Sequence, residues 1–176
     1  MAETIVELLR SNYDEMHGVV NVRPVVDRLL KSPDRAFADV AAAFKTAEPR
    51  WRLPMVEAMR TLAATGYCNE NQAPDLIRAT EAVAVDSGTD EYFKTVNAMV
   101  SSRKTAGALL FFVERLLESG KSTAFARQLA FYTVGMLLDH QTAQVSPGLR
   151  VALSLAATAE SSDQMKDQFA QVVSRL

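Results

Sequence analysis

Apolar residues along this chain recur at intervals of three and four, in runs separated by residues that start and stop helices. The first run, about 3–16, turns Ile5, Leu8 and Leu9 inward. A second, about 22–31, carries Pro24 in its first turn and places Val25, Val26, Leu29 and Leu30 on one side. Ser32 then precedes a helix opened by Pro33 and Asp34, whose stripe is Phe37, Val40, Ala41 and Phe44. A fourth helix starts near Pro49, buries Trp51, Met55, Ala58, Met59 and Leu62, and ends at Gly66.

The same spacing predicts helices over about 74–86 and from Thr89 onward, the latter with Tyr92, Phe93, Val96, Met99 and Val100 as its apolar set. The segment 104–118 is the most regularly amphipathic: Ala106, Leu109, Leu110, Val113, Leu116 and Leu117 share one face. In the next segment, about 122–138, Arg127 is the only charged residue and apolar side chains point almost all round, as in a helix surrounded by others. Helices over about 147–160 and 162–175 complete nine or ten. The expected fold is therefore all-α, a single helical domain over 1–176 whose helices pair into antiparallel hairpins near 3–31, 33–66, 72–102, 104–140 and 147–175.

The starts of the last four hairpins recur every 32 to 43 residues, within the range of helical repeats. Within the second hairpin, the run Glu48-Pro49-Arg50-Trp51-Arg52-Leu53-Pro54-Met55-Val56-Glu57-Ala58-Met59-Arg60-Thr61-Leu62 resembles the linker and second helix of a HEAT-like repeat. In such repeats a proline-bearing turn precedes an Arg, Val/Ala, Glu-Ala-Leu type of helix. The resemblance covers about 20 of the 176 residues, and Pro54 departs from it, because a proline inside a helix removes a hydrogen bond and bends the axis. It implies a fragment of a HEAT-like α-solenoid; a compact helical bundle is the other architecture these hairpins allow.

Composition narrows the class. With 48% hydrophobic residues the chain is too apolar for disorder, and seven glycines and six prolines are too few for a turn-dense β-sandwich. One cysteine, Cys68, makes no internal disulfide, which favours a reducing compartment and hence the cytoplasm. Glu3 and Glu7 stand where a targeting peptide would carry basic residues, and the apolar run 106–113 stops at Glu114, far short of the roughly 20 residues that span a bilayer. No membrane insertion is expected. The closing Ser174-Arg175-Leu176 resembles a peroxisomal address, a minor alternative for location.

The formal net charge of −2 conceals an uneven distribution. Residues 23–60 hold eight basic side chains against five acidic, whereas 70–91 hold six acidic against Arg78 alone. The basic run supplies the candidates for a binding surface: Arg23, Arg28, Arg35, Arg50 and Arg52. Asp27, Asp34 and Glu48 interrupt it, which argues against a nucleic-acid backbone as the ligand.

Catalytic chemistry finds little purchase. His17 stands three residues after Asp14, but a di-metal centre needs a second such pair, and His140 has no carboxylate three residues away. His140 is read as a core histidine with a backbone partner. Cys68 has no base visible beside it, and Gly120-Lys121-Ser122 lacks both the earlier glycine and the preceding strand of a phosphate loop. No catalytic residue, metal ligand or cofactor is assigned, and the chain is not expected to be an enzyme.

Two residues point instead to a partner. Phe111 lies on the charged face of the 104–118 helix, among Lys104, Arg115 and Glu118, and is either covered by a neighbouring helix or an anchor for another chain. Arg127 must snorkel, meet a carboxylate from another helix, or line a polar groove. The expected function is a non-catalytic protein–protein interaction module of adaptor, chaperone, immunity or regulatory type. The alternative is a small-molecule-sensing or cofactor-binding bundle, with Tyr92, Phe93, Phe111, Phe112, Phe125, Phe131 and Tyr132 lining a pocket.

Overall fold

Short polar side chains decide where the first helix ends. In the computed structural model, which describes residues 4–118 and 122–176, helix α1 spans only Ile5–Ser11. Thr4 caps it in a box, accepting from the Glu7 amide while the Glu7 carboxylate accepts from the Thr4 amide at 2.7 Å. Past Asn12 the chain forms a two-stranded antiparallel hairpin, β1 (Tyr13–Asp14) against β2 (Val19–Val20). The expected helix to residue 16 is thus replaced by a turn. Asp14 Oδ1 accepts from the amides of Met16 at 2.9 Å and His17 at 3.2 Å, and Gly18 closes the loop at a φ of 67° that other residues rarely adopt.

The remaining elements are helices: α2 (Val22–Leu29), α3 (Pro33–Phe44), α4 (Pro49–Ala64), α5 (Ala73–Ser87), α6 (Asp90–Val100), α7 (Arg103–Leu117), α8 (Ala124–Asp139), α9 (Pro147–Thr158) and α10 (Asp163–Ser174). The protein is all-α, with ten helices among the described residues. None of them is long and apolar enough to cross a membrane. The chain divides into two compact units, Met1–Met99 and Val100–Leu176.

In the first unit α4 is central and touches α1, α2, α3 and α5. This is why its burial extends beyond a single stripe: Trp51, Met55, Ala58, Met59 and Leu62 are buried as the spacing predicts, and so are Val56, Arg60 and Ala63. Pro54 sits within the helix, where its missing N–H leaves the Arg50 carbonyl without the usual i+4 donor, yet the helix runs on for ten more residues to Ala64. Arg60 is the charged residue among these buried side chains of α4. Its guanidinium donates to the buried Glu91 carboxylate and, through Nε, to Thr95 Oγ1 at 3.0 Å, and Thr95 shares a 2.7 Å hydrogen bond with Thr80. Lys94 completes the cluster, donating to Glu91 at 2.7 Å. The network ties α4, α5 and α6 together with every member partnered.

The second unit packs α7, α8, α9 and α10 around Val113, Ala130, Phe131, Val134, Leu149, Leu153 and Phe169. Phe131 and Phe169 stack with ring centres 3.8 Å apart. Helix α8 contributes buried side chains on several sides, in keeping with its nearly uniform apolar sequence. Its one charge, Arg127, meets Glu160 across the fold, with Nε at 3.1 Å and Nη2 at 3.0 Å from the same carboxylate oxygen, and donates through Nη1 to the Ser122 carbonyl at 2.6 Å. The other oxygen of Glu160 accepts from the amides of Ser161 and Ser162, so one carboxylate both neutralises the half-buried arginine and orders the turn into α10.

Candidate functional site

Where α3 ends, α4 begins and α5 passes, the first unit has a cleft of about 310 Å³. Local sequence sets its walls: α3 closes with Ala41 and Phe44 on its inner side and Lys45 at its C-cap, and Pro49 at the first position of α4 turns the chain back within four residues. Arg52 of α4 stands at the cleft one turn later, with Met59 at its base. From α5 come Asp75, Arg78 and Ala79. Ala41, Met59 and Ala79 are buried and Phe44 is half-buried, so the inner wall is apolar and the charged groups form the rim.

The four charged groups are not equivalent. Arg78 donates to Asp75 at 2.8 Å, one turn apart on α5, and that pair neutralises itself. Arg52 donates through Nε to the Ala47 carbonyl at 3.1 Å and lies over the Phe44 ring, 6.0 Å from its centre. Those two contacts hold the guanidinium in place without neutralising it. Lys45 is exposed, and among the described residues neither Lys45 nor Arg52 has a carboxylate within 4.0 Å. The rim thus carries two uncompensated positive charges above an apolar wall.

Only Arg52 of the arginines anticipated from sequence lines this cleft. Arg23 and Arg28 are exposed on α2, Arg35 pairs with Asp39 of its own helix at 3.4 Å, and Arg50 pairs with Glu48 at 3.0 Å while lying 5.0 Å over the Trp51 ring. Arg127 takes the second of its anticipated roles, a carboxylate from elsewhere in the fold. Phe111 is 60% exposed on α7 and belongs to the other unit. The aromatic set is divided: Tyr92 and Phe93 belong to the first unit, while in the second Phe112 and Phe131 are buried and Phe111 faces solvent. Lys45, Phe44, Met59, Asp75 and Arg78 were not anticipated as site residues. Their signal in sequence is faint, a lysine just past an apolar stripe and a lone arginine in an acidic run.

The remaining reactive groups are accounted for locally. His17 lies in the hairpin turn, not on a helix, and its Nδ1 is 2.7 Å from Asp14 Oδ2, an exposed pair in which hydrogen bonds from His17 hold the Asp14 carboxyl below its ordinary value. His140, expected in the core, is exposed at the C-cap of α8, because Asp139 and His140 lie beyond the last buried turn. Cys68 is buried, and burial together with the nearby Asp75 pushes its thiol up to about 12, where no thiolate forms near neutrality. Among the described residues no three His, Cys, Asp or Glu side chains gather as metal ligands. Of the phosphate-loop-like triplet, Gly120 and Lys121 lie outside the described residues. At the other end Arg175 donates to Asp139 at 2.6 Å and Leu176 packs against the second unit's core, so the closing tripeptide is folded onto the unit. No family model matches the chain, and no curated protein or solved structure matches it.

Proposed function

We propose that this protein is a non-catalytic module that binds another protein, and that the cleft between α3, α4 and α5 is where the partner docks. One observation carries the reading: two cations that have no carboxylate partner among the described residues stand over an apolar wall in a cleft whose sides are three packed helices. Unsatisfied charge held beside apolar surface is stable in water only at a rim, and it becomes useful when a partner covers it. The reading extends the HEAT-like resemblance of residues 48–62, since α4 of that hairpin supplies the central wall. A cytoplasmic location belongs to the same proposal and rests on the lone buried cysteine.

The test is site-directed photo-crosslinking in the native host. A benzoylphenylalanine placed at Lys45 is expected to capture a defined protein, and the same group at Val85, an exposed position of α5 outside the cleft, is expected not to. Equal capture at the two positions overturns the cleft as the docking point. Loss of capture on adding Arg52→Glu ties it to the rim charge.

A further inference from the structure

Charge and shape at the cleft together specify what docks there. We propose that its occupant is a short acidic segment of another protein, in which an apolar side chain stands next to one or two carboxylates. The inference rests on the reading of the cleft as a docking point and adds the chemistry of the partner.

Arg52 is immobilised before any ligand arrives. A free arginine side chain loses rotamer freedom when it grips a ligand, but here the Nε bond to the Ala47 carbonyl and the Phe44 ring have already fixed the guanidinium. Its terminal nitrogens have no partner among the described residues, and a planar guanidinium held in this way matches a carboxylate with two parallel hydrogen bonds. Lys45 adds a second, mobile charge at the same rim. The Asp75–Arg78 pair neutralises itself and adds no net positive charge, so the cleft offers two cations, enough for one or two carboxylates but not the continuous basic track that a nucleic-acid backbone requires. The apolar wall of Ala41, Phe44 and Ala79 supplies the other half of the recognition, and a cleft of about 310 Å³ has room for one large apolar side chain with its neighbouring carboxylate.

The experiment is an amide NMR titration of the full ¹⁵N-labelled chain with three blocked peptides. The first is Gly-Ser-Asp-Phe-Glu-Ser-Gly, the second replaces its two acids by Asn and Gln, and the third replaces them by Lys; hexanoate serves as a small-molecule acid. The expected result is that the acidic peptide shifts the amides of Phe44, Lys45, Arg52, Arg78 and Ala79. Lys45→Ala and Arg52→Ala should each weaken it by about fivefold or more, and Arg52→Lys should recover only part of the loss. Raising the salt from about 0.05 to about 0.5 M should weaken it further. Lys45 is an exposed cap residue, so its variant keeps the fold and leaves the charge test standing. Equal affinity for the neutral peptide overturns the acidic specificity while leaving the docking point intact. Tighter binding of hexanoate than of the peptide overturns a protein occupant in favour of a small carboxylate. An absence of cleft shifts with every probe overturns the docking point itself.

Discussion

Glu57 and Glu91 both feel the Arg60 guanidinium, and they answer to pH with opposite signs. Burial pushes the Glu91 carboxyl up, but hydrogen bonds from Lys94 and Arg60 outweigh it and leave the group below its ordinary 4.5. A carboxyl depressed in the folded state stabilises above the unfolded value, and that contribution is lost as pH falls through the folded value. Glu57 is half-buried on α4, and desolvation raises it above 4.5, so its ionised form opposes folding at neutral pH and the opposition is relieved in acid. Glu91→Ala leaves Arg60 buried without its counter-charge and is expected to cost about 3 kcal/mol at pH 7. Trp51, the only tryptophan and buried in the same unit, reports that loss through its emission in urea unfolding. Glu57→Gln is expected to do the reverse, raising the urea midpoint at pH 7 and leaving it unchanged at pH 3. A drop at pH 7 would show that the Glu57 charge is an asset.

At the scale of the element, capping separates helices whose sequences look alike. Ser32 and Ser146 both precede a proline that opens a helix, and serine is a favoured N-cap residue. In the fold Ser146 Oγ accepts from the Leu149 amide at 3.2 Å, whereas the Ser32 side chain makes no cap bond because its ψ of 68° turns it away from the extended geometry. Ser146→Ala is therefore expected to cost about 1 kcal/mol and Ser32→Ala only a few tenths, compared by chemical denaturation of the two variants. The same local competition explains the first helix. Three-and-four spacing carries Ile5, Leu8 and Leu9 correctly, but Asn12, Asp14 and Gly18 offer the backbone turn hydrogen bonds that helix propensity cannot match, and the chain makes a hairpin.

For the molecule as a whole, burial was legible wherever a helix presents one face, as in α3 with Phe37, Val40 and Ala41 or α7 with Leu109 and Val113. The pairing of Phe131 with Phe169 was not, since 37 intervening residues place them on helices whose contact depends on two loops. Phe169→Ala removes the stacked partner and is expected to cost about 3–5 kcal/mol, read from the helical circular dichroism in denaturant, because the surrounding Leu153 and Val134 can only partly close the cavity. The candidate site was legible in one residue. Arg52 stood out as a basic residue in a basic run, while Lys45, Asp75 and Arg78 acquired meaning only when α3, α4 and α5 met.

By itself the sequence determined the helical class, most helix boundaries and the buried stripes, because these follow from periodicity, caps and side-chain type within one turn or two. Tertiary structure alone decided which charges are answered. Arg60 and Arg127 each found a carboxylate on a distant stretch of chain, whereas among the described residues Arg52 and Lys45 found none, although nothing in their own stretches of chain distinguishes them. The reason is physical: whether a charge is compensated depends on what lies within about 4 Å in space, and for residues such as Arg60 and Arg127 that partner is some 30 residues away along the chain.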